Sequence, residues 1–294
     1  MYYHDINMET LMLKTRATKK WGFLALILVI LFILAVLAFD TGLKVVHYEI
    51  KNRKITAAIR IVFIADLHSC YYGEEQSDLI NTVYEQDPDI VLLGGDILDD
   101  VLPPKNAITI LEVLSKEYPC YYVSGNHEYW TEEIENIKQT VRNSGVTVLE
   151  GTSEALALNK QPINICGIDD AEVGERIMFD QLENAYKQSD KNSLTVLLAH
   201  RPEYIDTYLE YDFDLILSGH AHGGQWRIPP LINGLFSPGE GWFPQYAGGR
   251  YKFGNSTFIV SRGLSRESSR IPRIFNPPEL VVIDMTGYED NLSD

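Results

Sequence analysis

Cysteine is scarce in this sequence, with three residues in 294 and no paired spacing among them. Such a set argues against a disulfide framework and against a zinc site of the Cys type, so we interpret Cys70, Cys120 and Cys166 as small buried hydrophobic residues. Basic residues are also few, because 25 Lys and Arg stand against 41 Asp and Glu, for a net charge of −16. A chain this acidic is not expected to bind a nucleic-acid polymer, which requires a basic surface.

Long hydrophobic runs are missing except for one, residues 21–39, which contains no charged residue. As a helix, a run of this length comes close to the ~30 Å of hydrocarbon that a membrane span must cross. We predict a retained single-pass membrane anchor; a cleavable signal peptide with its cleavage site near residues 36–38 is the alternative. Lys14, Arg16, Lys19 and Lys20 precede the run, which predicts a cytoplasmic N-terminus and an extracytoplasmic remainder of the chain.

The predicted organisation has four parts: a polar segment over 1–20, the anchor over 21–39, a linker over 40–56 and one folded domain over 57–288. Within that domain, short apolar runs alternate with helix-like stretches, and this pattern is typical of an α/β fold with a parallel sheet buried on both faces. The predicted strands are 61–65, 90–93, 120–123, 194–199, 215–217, 257–261 and 280–284. The predicted helices are 77–85, 108–117, 132–144 and 179–188, while residues 223–253 show no clear period.

Polar side chains with metal-binding capacity follow five of these strands. They are Asp66 and His68, then Asp96 after two glycines, then Asn126 and His127, then His200, and finally His220 and His222. Five of the seven histidines of the chain stand at these positions. Because loops at the carboxyl ends of parallel strands converge on one edge of the sheet, we expect these side chains to lie together.

Mixed carboxylate, amide and imidazole ligands without thiolate suit Mn, Fe, Zn or Co better than a structural zinc. Such a set is too large for one ion, and it fits two divalent cations that share a carboxylate. We predict Asp96 as that shared ligand.

The motifs that carry these residues resemble a known signature. Asp66-Leu67-His68, Gly95-Asp96 with Asp99, Gly125-Asn126-His127-Glu128, His200 and Gly219-His220-Ala221-His222 stand in the order found in the calcineurin-like metallophosphoesterases. The segments 223–225, 260–263 and 276–279 are similar to its membrane-linked or exported bacterial branch, the YaeI/YkuE-type phosphoesterases, and more distantly to the UDP-diacylglucosamine hydrolases.

The resemblance implies a two-sheet αββα sandwich of the metallophosphoesterase type, with a second sheet built from the C-terminal strands. It implies one cation held by Asp66, His68, Asp96 and His222, and another held by Asp96, Asn126, His200 and His220. It also implies that His127 is free of metal and faces the leaving group as the catalytic acid. The candidate catalytic residues are thus His127 and Asp96, and the candidate substrate-binding residues are Asn126 and Arg262.

Three features allow two interpretations each. Asp99 either orients a metal ligand or caps a helix N-terminus. Arg262, Arg266, Arg270 and Arg273 either bind a second anionic group of the substrate or form surface ion pairs. The aromatic residues of 223–253 (Trp226, Phe236, Trp242, Phe243 and Tyr246) either cover the substrate or the bilayer, or pack locally.

We therefore predict a membrane-anchored, metal-dependent phosphoesterase of the phosphodiesterase or pyrophosphohydrolase type. A lipid-linked substrate and a soluble one are both compatible with an anchored enzyme. The alternative is a catalytically inactive scaffold of the same fold that acts through protein partners.

Overall fold

The computed structural model describes residues 3–237, 240–266 and 271–288. The chain divides into two compact units, 1–40 and 41–294. In the first unit, helix α1 covers Tyr3–Ala38. The predicted polar segment over 1–20 is therefore helical from Tyr3 onward and continuous with the apolar run. Its portion Lys19–Ala38 is, among the described residues, the one helix long and apolar enough to cross a membrane, a property that signal sequences share.

The second unit contains two six-stranded sheets and the helices that cover them, as the fold prediction required. The first sheet has the strand order β1-β14-β2-β3-β4-β5. Its strands are β1 (Lys44–Lys51), β2 (Ile59–Ile64), β3 (Ile90–Gly94), β4 (Cys120–Val123), β5 (Thr147–Val148) and β14 (Glu279–Thr286). Strands β2 to β5 run parallel, and β14 pairs antiparallel with β2. The last strand therefore belongs to the first sheet. The prediction that the C-terminal strands build the second sheet is wrong for β14.

The second sheet has the order β12-β13-β9-β8-β7-β6. Its strands are β6 (Thr152–Leu158), β7 (Gln161–Gly167), β8 (Leu194–Leu198), β9 (Leu215–Ser218), β12 (Gly249–Phe253) and β13 (Ser256–Val260). The short strands β10 (Phe236–Ser237) and β11 (Gly241–Trp242) form a separate hairpin. The helices are α2 (Ser77–Gln86), α3 (Lys105–Glu117), α4 (Asn126–Trp130), α5 (Ile134–Asn143), α6 (Glu175–Gln188) and α7 (Ile205–Tyr208).

Side chains alternate between the two faces of each buried strand, and this lets the two sheets pack on each other and on the helices in four layers. In β2, Val62 and Ile64 belong to the apolar cluster that includes the buried faces of α2 and α3, whereas Ile61 and Phe63 belong to the cluster between the sheets. Because successive side chains of a strand point to opposite faces, one continuous apolar run serves two cores. Strand β8 does the same: Val196 and Leu198 face the first sheet, and Leu197 packs in the cluster that contains the buried side of α6.

The linker predicted over 40–56 is wrong for its central part, because residues 44–51 form β1. This strand pairs parallel with β14 along eight residues, from Lys44 opposite Glu279 to Lys51 opposite Thr286. Strand β1 is at the edge of its sheet and has largely exposed or half-buried side chains. Edge strands tolerate charged residues, so its sequence lacks the apolar character by which the inner strands are recognised.

Candidate active site

The predicted ligands meet at the carboxyl ends of strands from both sheets. Asp66 and His68 follow β2, Asp96 follows β3, and Asn126 begins α4 after β4, all in the first sheet. His200 follows β8, and His220 and His222 follow β9, in the second sheet. The cluster therefore lies where the edges of the two sheets come together, which strand order alone could not reveal.

The aspartate and histidine side chains form groups compact enough to hold cations. Asp66, His68, Asp96 and His222 offer ligand atoms within 4.8 Å of one another, and so do Asp96, His200 and His220. Asp96 is common to both groups. A third group joins His68, Asp99 and His127.

Short distances within each group bring the ligand atoms around a shared centre. The Nε2 atoms of His68 and His222 lie 3.2 Å apart, and the Oδ1 of Asp66 lies 3.4 Å from His222 Nε2. In the second group, His200 Nε2 lies 3.1 Å from Asp96 Oδ2. Nitrogen and carboxylate oxygen atoms gathered at such spacings are typical of ligand sets arranged for a cation.

Unpartnered atoms support the same fit to divalent cations. Five buried polar atoms of the predicted ligands have no hydrogen-bond partner: Asp66 Oδ2, Asn126 Oδ1, His200 Nε2, His220 Nε2 and His222 Nδ1. Leaving buried polar atoms unpaired costs free energy, so a protein seldom keeps several together unless something else binds them. Oxygen and imidazole ligands without sulfur fit Mn, Fe or Zn.

The backbone around these residues is held in an uncommon conformation. Asp66, His68, Asp96, His220 and His222 all have φ between 46° and 64°. Non-glycine residues rarely adopt this left-handed region, and such strain is concentrated at functional sites. The conformation turns consecutive side chains of one loop inward, which explains how motifs as short as His220-Ala221-His222 supply two ligands.

Glycine is required where the motifs approach one another. A Cβ atom on Gly125 would lie 2.2 Å from Asp96 Oδ1, and one on Gly95, where φ is +88°, would lie 2.5 Å from His200 Nδ1. The glycines that precede the ligands thus leave room for the ligand side chains of neighbouring loops.

Hydrogen bonds orient two of the imidazoles. His68 Nδ1 lies 2.9 Å from Asp99 Oδ1, and His200 Nδ1 lies 2.8 Å from the carbonyl oxygen of Gly94. A donated Nδ1–H leaves Nε2 as the free ligand atom, as is usual for metal-binding histidines. Asp99 is not the N-cap of α3, since that helix begins at Lys105 with Pro104 as its cap.

Burial and nearby charges shift the pKa values of the ligand side chains, and so determine whether a cation must compete with a proton for them. Burial opposes protonation of His200, but Asp96 and Asp66 outweigh it and raise the pKa of His200 to about 10. Burial lowers the pKa of His220 well below its usual value, and nearby His200 adds to this effect. Burial opposes ionisation of Asp66, yet His222 and His200 lower its pKa to about 2. Because a cation must displace the proton of His200, its affinity should rise with pH.

His127 stands beside the ligands and outside the two groups that share Asp96. Its backbone N–H donates to Asp96 Oδ1 at 2.8 Å, and its Nδ1 lies 2.6 Å from Asp100 Oδ1 and 3.4 Å from Asp99 Oδ1. Its ring packs against Trp130, with ring centroids 4.4 Å apart. Burial lowers the pKa of His127, but Asp99, Asp96 and Asp100 outweigh it and raise it to about 9.

Glu128 has a structural role that the sequence prediction missed. This fully buried carboxylate accepts four backbone N–H groups at 2.8–3.1 Å, those of Asp96, Ile97, Leu98 and Gly125. It thereby ties the loop that carries Asp96 to the start of α4. A glutamate three residues after the N-cap of a helix is the capping-box signal, which could have predicted the bond to Gly125.

Replacing Glu128 by Ala is expected to lower the free energy of unfolding by at least about 3 kcal/mol, because several buried N–H groups lose their acceptor. Urea unfolding in detergent would measure it. Glu112, exposed on α3, provides the control, and Glu112→Ala should change stability little. Equal stability losses in the two variants would contradict the role given to Glu128.

Replacing Asp99 by Asn is expected to weaken cation affinity about 10–100-fold, since His68 loses the carboxylate that orients it. Titration of chelator-treated protein with Mn²⁺ would measure the affinity. Asp100→Asn is the matched control, because Asp100 contacts His127 and is not part of the group around His68. If both variants bound Mn²⁺ like the wild type, Asp99 would not act through His68.

The arginines predicted to bind an anion have mostly protein partners. Arg262 Nη1 lies 2.8 Å from Glu279 Oε2, and Arg273 donates to the carbonyl oxygen of Arg262 at 2.8 Å. Arg266 lies over the ring of Tyr72, and Arg270 is outside the described residues. The role of Arg262 in substrate binding stays a prediction.

Comparison with known proteins agrees with this geometry. Residues 59–224 match the family model for the calcineurin-like phosphoesterases. The chain belongs to that family. This phosphoesterase is 30% identical over 257 residues to a metallophosphoesterase of Aquifex aeolicus, a match that covers 83% of the chain and 92% of the relative.

Two further relatives are named in the predicted branch. Phosphodiesterase YaeI of Escherichia coli K12 is 29% identical over 248 residues, covering 78% of this phosphoesterase and 88% of the relative. Metallophosphoesterase YkuE of Bacillus subtilis is 29% identical over 233 residues, covering 77% and 78%. The predicted family, branch and class, a metal-dependent phosphoric ester hydrolase, are confirmed.

Proposed function

We propose that this chain is a membrane-anchored phosphoesterase that uses two divalent cations to hydrolyse a phosphodiester or a pyrophosphate. The observation that carries the proposal is the pair of Asp/His groups that share Asp96 and retain unpartnered buried ligand atoms. A scaffold that had lost activity would have no reason to keep this costly arrangement.

One cation would be held by Asp66, His68, Asp96 and His222, and the other by Asp96, Asn126, His200 and His220. When bound, the two cations supply positive charge for the phosphoryl oxygens and acidify a coordinated water. This supply matters in a chain with a net charge of −16, which would otherwise repel an anionic substrate. The pKa values of Asp66, Asp96 and His220 are all lowered, so at neutral pH these three side chains carry no proton that a cation must displace.

His127 is the proposed general acid. Its Nδ1 is directed at Asp100 and Asp99, which leaves Nε2 as the atom that delivers a proton to the departing oxygen. Despite burial, Asp99, Asp96 and Asp100 together raise its pKa to about 9, so the imidazole is protonated at neutral pH. A positioned acid of this kind contributes about 10²–10⁴ in rate.

The anchor is proposed to be the apolar part of α1. Its length and composition support a span, and basic residues precede it, so the phosphoesterase unit would lie on the extracytoplasmic side. Alkylation of single cysteines introduced before and after the span, by a membrane-impermeant reagent in intact cells, distinguishes the two orientations.

The relative named phosphodiesterase YaeI supports a diester as the substrate class. Protein stripped with a chelator and reloaded with Mn²⁺ should hydrolyse bis-p-nitrophenyl phosphate faster than p-nitrophenyl phosphate. The stripped protein should regain activity only with the cation. Mn²⁺-loaded protein that hydrolyses neither these esters nor a nucleotide-sugar pyrophosphate lipid would contradict the proposed function.

A further inference from the structure

An apolar groove begins two residues beyond a proposed cation ligand. His222 and Gly224 belong to the same short 3₁₀ turn, and Gly224 lines a groove with a volume of about 290 Å³. The other lining residues used below are Trp226, Phe236, Trp242 and Ile271. Small-molecule pockets typically measure roughly 300–1,000 Å³, so this volume suits part of a ligand.

The walls of the groove are held in place by the protein itself. On one side, Phe236 and Trp242 of the β10–β11 hairpin pack with their ring centroids 5.5 Å apart. On another, the Trp226 indole N–H donates to the carbonyl oxygen of Pro272 at 3.0 Å. At Gly224, a Cβ atom would lie 2.4 Å from the Cα of Gly234, so the backbone of this lining residue packs tightly on a neighbouring segment.

These side chains remain exposed, unlike another aromatic residue of the same loop. Trp242 is 69% exposed and Ile271 50%, whereas Tyr246 is 8% exposed and packs on Tyr251 and Phe258. Local packing thus accounts for the burial of Tyr246, but it does not account for the exposed apolar side chains of the groove. Within the described residues, no charged side chain lines it, and a contiguous exposed apolar surface of this kind marks a binding site.

We propose that the groove binds a hydrocarbon chain of the phosphodiester substrate, which is therefore an amphiphile; this inference rests on the proposed function. The phosphoryl group has its place at the ligand cluster, and the His222–Gly224 turn joins that cluster to the groove. A sugar or a base in the groove would lose its hydrogen bonds with water and find little to replace them. A hydrocarbon chain loses nothing and removes apolar surface from water on both sides.

The test uses alkyl p-nitrophenyl phosphates that differ only in the alkyl group, methyl, butyl or octyl, at concentrations where each is monomeric. Full-length Mn²⁺-loaded protein in an amphipathic polymer is the enzyme. We expect kcat/KM to rise from methyl to octyl by at least roughly 50-fold, the gain for burying three of the seven added methylenes. Equal values for the methyl and octyl esters would overturn the proposal while leaving the proposed function intact.

Two variants test whether the effect of alkyl chain length on kcat/KM arises in the groove. Ile271→Ser and Trp242→Ser should each reduce the octyl-to-methyl ratio several-fold. Ile177→Ser is the matched control, since Ile177 is 49% exposed on α6 and outside the groove, and it should keep the wild-type ratio. A ratio unchanged in both groove variants, or reduced equally in the control, would overturn the assignment.

A binding experiment without turnover distinguishes failure of the proposed function from failure of the groove assignment. Calorimetric titration with octyl and methyl benzylphosphinates, anions without a hydrolysable P–O–C bond, should show tighter binding of the octyl compound, with a negative heat-capacity change. If no ester is hydrolysed but the octyl phosphinate still binds preferentially, the proposed function fails and the groove assignment stands. If Trp242→Ser weakens binding to lipid vesicles but not to the octyl phosphinate, the groove is a membrane contact and the proposal is wrong.

Discussion

Replacing Asp96 by Asn is expected to abolish activity, with kcat/KM at least roughly 10³-fold below wild type. Asp96 belongs to both ligand groups, so the substitution removes a negatively charged ligand from both proposed cations. Cations contribute several kcal/mol to stabilising a phosphoryl transition state, and each 1.36 kcal/mol corresponds to a tenfold change in rate. Elemental analysis of the purified variant should show less than one cation per chain.

Asp180→Asn is the control for that experiment, because Asp180 is exposed on α6 and away from the cluster. It should retain wild-type activity and cation content. Retention of two cations and substantial activity by Asp96→Asn would exclude Asp96 as a shared ligand. Loss of a single cation would assign Asp96 to one site alone.

Replacing His127 by Gln is expected to slow release of a poor leaving group about 10²–10⁴-fold. The effect should depend on that group, because p-nitrophenolate departs without a proton and an alkoxide does not. Comparing kcat for p-nitrophenyl and alkyl phosphodiesters tests this directly: the first should change less than tenfold. Cation content should remain that of the wild type, since His127 is outside the two groups that share Asp96.

The pH dependence follows from the same assignment. His127 must be protonated to act as an acid, and its pKa is raised to about 9. The rate with an alkyl leaving group should therefore fall as the pH rises through about 9, and this fall should be absent from His127→Gln. Equal losses for both leaving groups would indicate that His127 supports the site in some other way.

Most of the site could be predicted because its residues follow the most recognisable elements. Strands such as β3 and β4 are buried on both faces, so their apolar runs and the glycines that end them are plain in the sequence. The convergence of two sheets at the cluster depends on long-range pairing, which no local pattern contains. It became predictable only through the resemblance to a family.

The parts that were missed depend on contacts between distant segments. Strand β1 exists because β14 offers it a partner more than two hundred residues away. Glu128 matters because the loop after β3 presents its N–H groups to it. The groove beside His222 lies in a loop without periodicity, where local sequence does not distinguish the exposed Trp242 from the buried Tyr246.

Anomalous diffraction from crystals of the Mn²⁺-loaded protein tests the central claim most directly. We expect two peaks per chain, one among Asp66, His68 and His222 and the other among Asn126, His200 and His220, with Asp96 contacting both. A single peak, or peaks that Asp96 does not bridge, would contradict a two-cation centre with a shared carboxylate.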